Sequence, residues 1–228
     1  NSRLWFNVNM AVGGLICLGG FDCQDGTKKM NSERQQNFLL RKEKILSMAE
    51  KLLLDNNQDI TLGELASELD IAKGTIYKHF KSKNQLYLEL IILNERRLLE
   101  ISKNNQNNIK SYVSQYMLYN MLNSNRTILL HAIEERLTNN ERRLKHLFEE
   151  LYQVREQRIL SIKDMTGDYL KSLNSAMSIR DYLSYIWTVT YGASLLLNST
   201  HYQKAIGSRE RLIKLYINQA LMIPDKVS

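Results

Sequence analysis

Proline and glycine are scarce in this chain, whose 228 residues include one proline and ten glycines. All-β folds need turn residues roughly every 8–12 positions, so this composition argues against them. Both cysteines, Cys17 and Cys23, lie near the beginning, and the rest of the chain can form neither a disulfide framework nor a cysteine-based metal site. Helical periodicity recurs almost everywhere after Phe38. We therefore predict an all-α fold, and we expect the protein to be cytoplasmic.

The sequence also lacks the motifs that carry catalysis. It has no Gly-rich phosphate loop, no nucleophile elbow and no Ser/His/Asp set, and His-Glu-x-x-His does not occur. Two histidines are followed by glutamate pairs, namely His131 by Glu134 and Glu135, and His146 by Glu149 and Glu150. Neither set places two histidines on one helix face, so a solvated surface is the better interpretation. We predict that the protein is not an enzyme and needs no cofactor or metal.

Long apolar runs are absent as well. The apolar segment Met10–Phe21 has 12 residues, whereas a helix needs about 20 to cross a bilayer. It also lacks the usual signal-peptide cleavage site. We expect residues 1–29 to be an extension that is disordered or not native, with Met30 as the natural start, and we expect no membrane association.

Residues 61–83, TLGELASELDIAKGTIYKHFKSK, have the pattern of two short helices joined by a tight turn. Thr61 and Glu64 have the spacing of a capping box, which predicts that a helix begins there. Four apolar residues then follow at i, i+3, i+4 and i+7, so this helix should bury one face. A turn at 70–71 and a second helix over about 72–80 complete the pattern.

The outer face of the second helix is small, basic and rich in hydrogen-bonding groups: Lys73, Gly74, Thr75, Tyr77, Lys78 and His79. A helix of this kind enters the major groove in helix-turn-helix proteins. Lys73 suits the O6 and N7 atoms of guanine. Lys83, in the first turn of the helix that Ser82 should cap, suits a phosphate. With a net charge of +7, this pattern predicts binding to double-stranded DNA.

From about Phe38 to Leu98 the sequence resembles the DNA-binding domain of the TetR/AcrR transcriptional regulators. The matching pieces are KILSMAEKLLLDN, TLGELASEL, AKGTIYKHF and KSKNQL. The segment GTIYKHFKSK is the most specific, because helix-turn-helix proteins in general do not share it. Beyond Leu99 only the helical layout resembles the family.

The resemblance implies roles for individual residues. In the family, five matching positions commonly touch DNA: Lys73, Gly74, Tyr77, His79 and Lys83. Tyr77 would take a phosphate, although it could instead be a core aromatic, and His79 could be an exposed cap residue. Thr61 could give its hydroxyl or backbone N–H to a phosphate while also capping its helix. With Thr75 and Lys78, these residues form the predicted DNA-binding set.

Two helices near the end of the chain, about 178–198 and 208–222, are apolar on two faces. On the first helix, one face carries Tyr182, Ile186, Val189 and Ala193, and the other carries Leu183, Trp187, Tyr191 and Leu195. A helix apolar on two faces must be buried on two sides, so we expect one side to meet a partner subunit. The resemblance also implies a homodimer. A thick monomeric core is the alternative.

The second half of the chain is rich in tyrosine and methionine, which suit apolar pockets with a few hydroxyls. The resemblance implies that a small molecule binds there. The predicted ligand-binding residues are Tyr112, Tyr116, Met117, Tyr119, Tyr152, Trp187 and Tyr191. Side chains at such helical spacing can equally be core. We expect the ligand to be apolar or aromatic, and it could be cationic.

These observations predict four segments: an extension (1–29), a helix-turn-helix DNA-binding domain (30–84), a connecting helix (85–103) and a ligand-binding and dimerisation domain (104–228). Our interpretation is a dimeric repressor that binds a palindromic operator and is released by a small molecule. Two alternatives stay open. One is a DNA-binding protein without a small-molecule ligand, acting structurally or through protein partners. The other is a helical enzyme whose helix-turn-helix is vestigial.

Overall fold

The computed structural model describes residues 25–56, 59–138, 142–205 and 207–226, and all regular structure in these ranges is helical. The all-α prediction is confirmed. The chain divides after Arg41, and residues from Lys42 onward form the second unit. The helices are α1 (Asp25–Asn56), α2 (Leu62–Glu68), α3 (Lys73–His79), α4 (Lys83–Lys103), α5 (Ile109–Leu122), α6 (Ser124–Thr138), α7 (Lys145–Ser172, after a 3₁₀ turn at Arg142–Leu144), α8 (Ile179–Asn198), α9 (Thr200–Ala205) and α10 (Arg209–Lys226).

Helix α1 begins at Asp25, well before Phe38, after which helical periodicity becomes evident in the sequence. Residues 25–37 are almost entirely polar, so they have no apolar stripe that periodicity could detect. Met30 lies inside α1, so the helix crosses the predicted boundary between residues 29 and 30. The two cysteines and the apolar segment Met10–Phe21 lie outside the described residues.

Local hydrogen bonds fix the two short helices and the turn between them. The capping box is present, since Glu64 N–H donates to Thr61 Oγ1 at 3.1 Å and Thr61 N–H donates to Glu64 Oε2 at 2.7 Å. Asp70 occupies the turn with φ of 51°, a conformation that Asp tolerates better than most residues. Ser82 caps α4 as predicted, because its Oγ accepts from Gln85 N–H at 3.1 Å.

Two hydrophobic cores lie within residues 42–228. The first joins α1, α2, α3 and the first half of α4 to the end of α6 and the start of α7. The second joins the end of α4 to α5, α7, α8 and α10. Because α4 contributes to both cores, it is more than a connector. The segment formed by residues 42–56, α2 and α3 is termed the head below.

Helix α8 agrees with the predicted helix over about 178–198, and α10 continues past 222 to Lys226. Helix α7 runs through Gly167 to Ser172. A Cβ atom at Gly167 would lie 3.2 Å from Ile179 Cδ1, so this glycine lets α7 approach the start of α8 closely. Within the described ranges, no helix is long and apolar enough to span a bilayer.

Candidate nucleic-acid interface and ligand cleft

Helix α3 presents one polar face to solvent. Ile76 and Phe80 are fully buried beneath it, while Lys73, Gly74 and Lys78 are exposed. Thr75, which also belongs to the predicted set, is half-buried. The side chain of Tyr77 is 44% exposed, so the alternative that it is a core aromatic is wrong.

His79 departs from this pattern. It was placed on the outer face, but it is buried, with 9% of its surface exposed. The cause is helical geometry, since position 79 lies three residues after the buried Ile76 and so faces inward. Its ring centroid is 6.3 Å from that of Phe80. Its placement on the outer face and the alternative of an exposed cap are both wrong, and a DNA contact by His79 stays a prediction.

Gly74 leaves open space at the start of α3. A Cβ atom added there would meet no other atom within 4 Å, so packing within the subunit does not require a glycine. The bare backbone instead lets another surface approach the first turn of α3 closely. This geometry agrees with the predicted close approach to a duplex.

Thr61 has less capacity for a phosphate than predicted. Its backbone N–H already donates to Glu64 Oε2, and its Oγ1 already accepts from Glu64 N–H. The hydroxyl proton is then the group that could reach a phosphate.

Lys83 is engaged in an ion pair that the sequence did not reveal. Its Nζ lies 2.6 Å from Asp59 Oδ2, and Tyr87 OH donates to Asp59 Oδ1 at 2.8 Å. Arg136 of α6 is 3.7 Å from the same Oδ1. Partial burial raises the pKa of Asp59, but the hydrogen bonds from Lys83 and Tyr87 outweigh it and the pKa is lowered. Asp59 is therefore ionised at neutral pH and competes with any phosphate for Lys83.

Asp59→Asn should strengthen DNA binding. The amide removes the charge that holds Lys83 while keeping an acceptor for Tyr87 OH. We expect affinity to rise by about 0.2–1 kcal/mol, the typical worth of an exposed ion pair, on specific and scrambled DNA alike. The dependence on salt should steepen, because one more phosphate is neutralised. Fluorescence anisotropy at two salt concentrations measures both.

The matched control is Asp55→Asn, which removes an exposed charge at the end of α1. An equal gain in both variants would mean that net charge, rather than release of Lys83, causes the effect. Unchanged affinity in Asp59→Asn would contradict a phosphate contact by Lys83.

A second ion cluster ties the head to the helices that follow it. Glu50 of α1 receives both arms of the Arg97 guanidinium, at 2.6 and 2.9 Å, and lies 2.9 Å from Arg126 Nε. Burial raises the pKa of Glu50, but the two arginines outweigh it and lower the pKa. Helices α1, α4 and α6 are thus joined by charge, through pairs that local sequence patterns cannot predict.

A cleft of about 670 Å³ lies between α5, α7 and α8, within the size range of small-molecule sites. Three of the predicted ligand-binding residues line it: Tyr112, Tyr116 and Trp187. A smaller cavity, of about 80 Å³, is lined by Tyr116, Trp187 and Tyr191 among others. Four of the seven predicted residues therefore border one of these two spaces.

The other three lie elsewhere. Met117 is fully buried in the second core. Tyr119 donates to Asn94 Oδ1 at 2.9 Å and accepts from Arg126 at 3.2 Å. Tyr152 is exposed beside Phe148. The structure does not bring these three side chains to the cleft, because they face other sides of their helices.

Buried charges behind the cleft were missed from the sequence. Glu95 of α4 lies 3.1 Å from Arg155 and 3.3 Å from Arg158, both on α7, and Arg155 also pairs with Glu134 at 2.6 Å. Their separation in sequence gives no local signal. In the described part of the chain, no three His, Cys, Asp or Glu side chains group closely enough to hold a metal ion.

The geometry of the head defines a class of protein. Two short helices, joined by a tight turn and exposing a basic face on the second, form a helix-turn-helix unit, whose second helix reads DNA. Residues 45–90 match the model of a family described as bacterial regulatory proteins, tetR family. Over these residues the chain matches the TetR family, which confirms the resemblance for the head. The match of the head to a family of regulatory proteins agrees with the prediction that the chain is not an enzyme.

Two curated proteins are similar to this chain over part of its length. The HTH-type transcriptional regulator QacR of Staphylococcus aureus (strain Mu50 / ATCC 700699) is 35% identical over 82 residues, which cover 36% of this chain and 44% of that protein. The HTH-type transcriptional regulator AcrR of Shigella flexneri is 30% identical over 118 residues, which cover 51% and 49%. The chain thus spans about half the length of the curated relatives it matches.

Proposed function

We propose that the protein is a cytoplasmic transcriptional repressor that binds a palindromic double-stranded DNA operator as a homodimer and is released by a small molecule. The observation that carries the proposal is the exposed face of α3, where Lys73, Gly74, Tyr77 and Lys78 surround an open first turn above a buried core. The match of this segment to the TetR family supports it.

The roles within the interface follow from chemistry. Lys73, in the first turn of α3, reads a guanine through O6 and N7. Tyr77, Lys78 and the hydroxyl of Thr61 bind phosphates, and these contacts position the head without reading sequence. Lys83 joins them once a phosphate replaces Asp59 as its partner.

Replacing Lys73 by Ala tests the proposed reader. The wild-type protein first selects its preferred duplex from a randomised pool. On that duplex, Lys73→Ala should weaken binding by about 1–3 kcal/mol and relax the preference at one base pair. The affinity for scrambled DNA should change much less. The control is Lys171→Ala, which removes an exposed lysine of α7. Equal affinity of Lys73→Ala and wild type would remove Lys73 as a reader.

Dimerisation through α8 and α10 is supported by exposed apolar side chains on both helices. Leu195 of α8, and Leu215 and Met222 of α10, are each 45–50% exposed. Ile186, by contrast, is buried within its own subunit, so a charge there would disrupt the core and would not test the interface.

Leu195→Glu should convert the dimer to a monomer while preserving the fold, because the side chain is already exposed. Leu215→Glu should act in the same way from α10. Sedimentation equilibrium measures the mass, and circular dichroism checks the fold. The matched control is Leu160→Glu, which charges an exposed leucine of α7 and should stay dimeric. Sedimentation of the wild-type protein as a monomer would contradict the proposed dimer.

Release by a ligand is supported by the position of α4. This helix packs against the head in the first core and ends in the second core, and its Glu95 binds the same Arg158 that lines the cleft. A ligand that prefers one position of α4 would shift the spacing of the two heads. Such a ligand must then bind more weakly in the presence of operator, by the same factor.

A further inference from the structure

The cleft between α5, α7 and α8 combines an apolar wall with positive charge. Ile159, Ile162, Leu183 and Ile186 supply aliphatic surface, and Trp187 supplies an aromatic ring. Three basic residues line the same cleft: Arg158, Lys163 and Arg180. The described residues that line it include no Asp or Glu.

The acidic neighbours of these cations in sequence are directed elsewhere. Asp164, which follows Lys163, lines a separate groove beside Ile109. Asp181, which follows Arg180, accepts a hydrogen bond from Ser178 Oγ at 2.7 Å at the start of α8. Neither carboxylate lines the cleft between α5, α7 and α8.

Arg158 belongs to a group of positive and negative charges that sums to zero, and Lys163 and Arg180 lie outside this group. Its largely buried guanidinium lies 3.3 Å from Glu95 and donates to Tyr112 OH at 3.3 Å. Together with Arg155 and Glu134, this makes two guanidinium groups and two carboxylates. Lys163 and Arg180 remain outside this neutral set.

The surplus charge lies toward one end of the cleft. Gly167 packs against Ile179, so the start of α8 lies beside that point of α7. Lys163 is about one helical turn before Gly167, and Arg180 directly follows Ile179. Arg158 precedes Lys163 on α7, and Trp187 follows Arg180 on α8. Both therefore lie toward the other end of the cleft. The cleft thus carries the charges of Lys163 and Arg180 at one end, and its apolar wall continues through Ile186 and Trp187 toward the other.

We propose that this cleft binds an amphipathic organic anion. Its carboxylate, or a comparable acidic group, pairs with Lys163 and Arg180, and its apolar body lies against Ile162, Leu183 and Ile186. A cationic ligand, which the sequence left open, would meet the like charges of Lys163 and Arg180 here. The effect of such an anion on DNA rests on the proposed function, whereas its binding to the cleft does not.

The test compares three probes with the same ten-carbon chain in titration calorimetry with the full-length protein: decanoate, decylamine and decanol at neutral pH. Decanoate should bind at least about tenfold more tightly than decanol, because charge-assisted hydrogen bonds form in a partly desolvated site. Decylamine, which is a cation at this pH, should bind more weakly than decanol. Equal affinities for decanoate and decylamine would overturn the proposal.

A double variant locates the site. Lys163→Met with Arg180→Met keeps the aliphatic stems and removes both charges, and both residues are exposed, so the fold should survive. The preference for decanoate over decanol should vanish. The matched control, Lys171→Met with Arg211→Met, changes two exposed cations that do not line the cleft and should keep the preference. Equal loss in both double variants would contradict the assigned site.

Operator binding, measured separately, distinguishes the two proposals. If decanoate binds the wild-type protein but leaves operator affinity unchanged, the anion site stands and ligand release fails. If decanoate does not bind while operator binding is normal, the anion site fails and the DNA-binding function stands.

Discussion

Gly74→Leu should reduce binding to the selected operator to the level of non-specific DNA, a loss of about 10³-fold or more. Leucine would place its side chain outward from the first turn of α3, where a Cβ atom meets nothing within 4 Å. That space is available in the free protein, but in the proposed complex a base pair or phosphate occupies it. Anisotropy titrations on operator and scrambled duplexes measure the loss.

The substitution should not lower the stability of the folded protein. Gly is about 0.8–1 kcal/mol less favourable than Ala in a helix, and Leu is nearly as good as Ala, so thermal stability should stay equal or rise slightly. Gly74→Ala serves as the graded control, with the same backbone benefit and a smaller obstruction. Wild-type operator affinity in Gly74→Leu would show that α3 does not approach DNA through its first turn.

The head could be predicted from the sequence because its signals are local. The capping box at Thr61, the N-cap Ser82 and the i, i+3, i+4 apolar pattern each involve neighbours within one or two helical turns. His79 was misplaced because α3 has only seven residues. In so short a helix, the border between its inner and outer faces depends on what packs beneath it.

The missed features are those that only tertiary structure creates. Asp59 and Lys83 are 24 residues apart, and Glu50 and Arg97 are 47 apart. Pairs this distant have no periodic signature. The cleft is equally invisible, because it exists only where α5, α7 and α8 meet. Aromatic composition identified Tyr116 and Trp187 correctly as cavity-lining residues, but it could not separate them from Met117, which the second core buries.

The buried ion pairs between α4 and α7 should contribute strongly to the stability of the protein. Glu95 is 7% exposed and forms ion pairs with two guanidinium groups, those of Arg155 and Arg158. Glu95→Ala should therefore destabilise the protein by about 3–5 kcal/mol, because Arg158 is left buried without a carboxylate. Urea unfolding at one fixed protein concentration measures the change. That concentration must be held constant because the proposed dimer would unfold in a concentration-dependent way.

Two comparisons isolate the cause. Glu100→Ala removes a carboxylate from the exposed pair with Lys103 on the same helix, and it should cost less than about 1 kcal/mol. The double variant Glu95→Met with Arg158→Met removes charge from both helices and leaves the pair of Arg155 and Glu134 intact. Replacing a buried ion pair by apolar side chains is often neutral, so this variant should recover most of the stability that Glu95→Ala loses. A double variant no more stable than Glu95→Ala would show that packing between α4 and α7, rather than an uncompensated guanidinium, sets the effect.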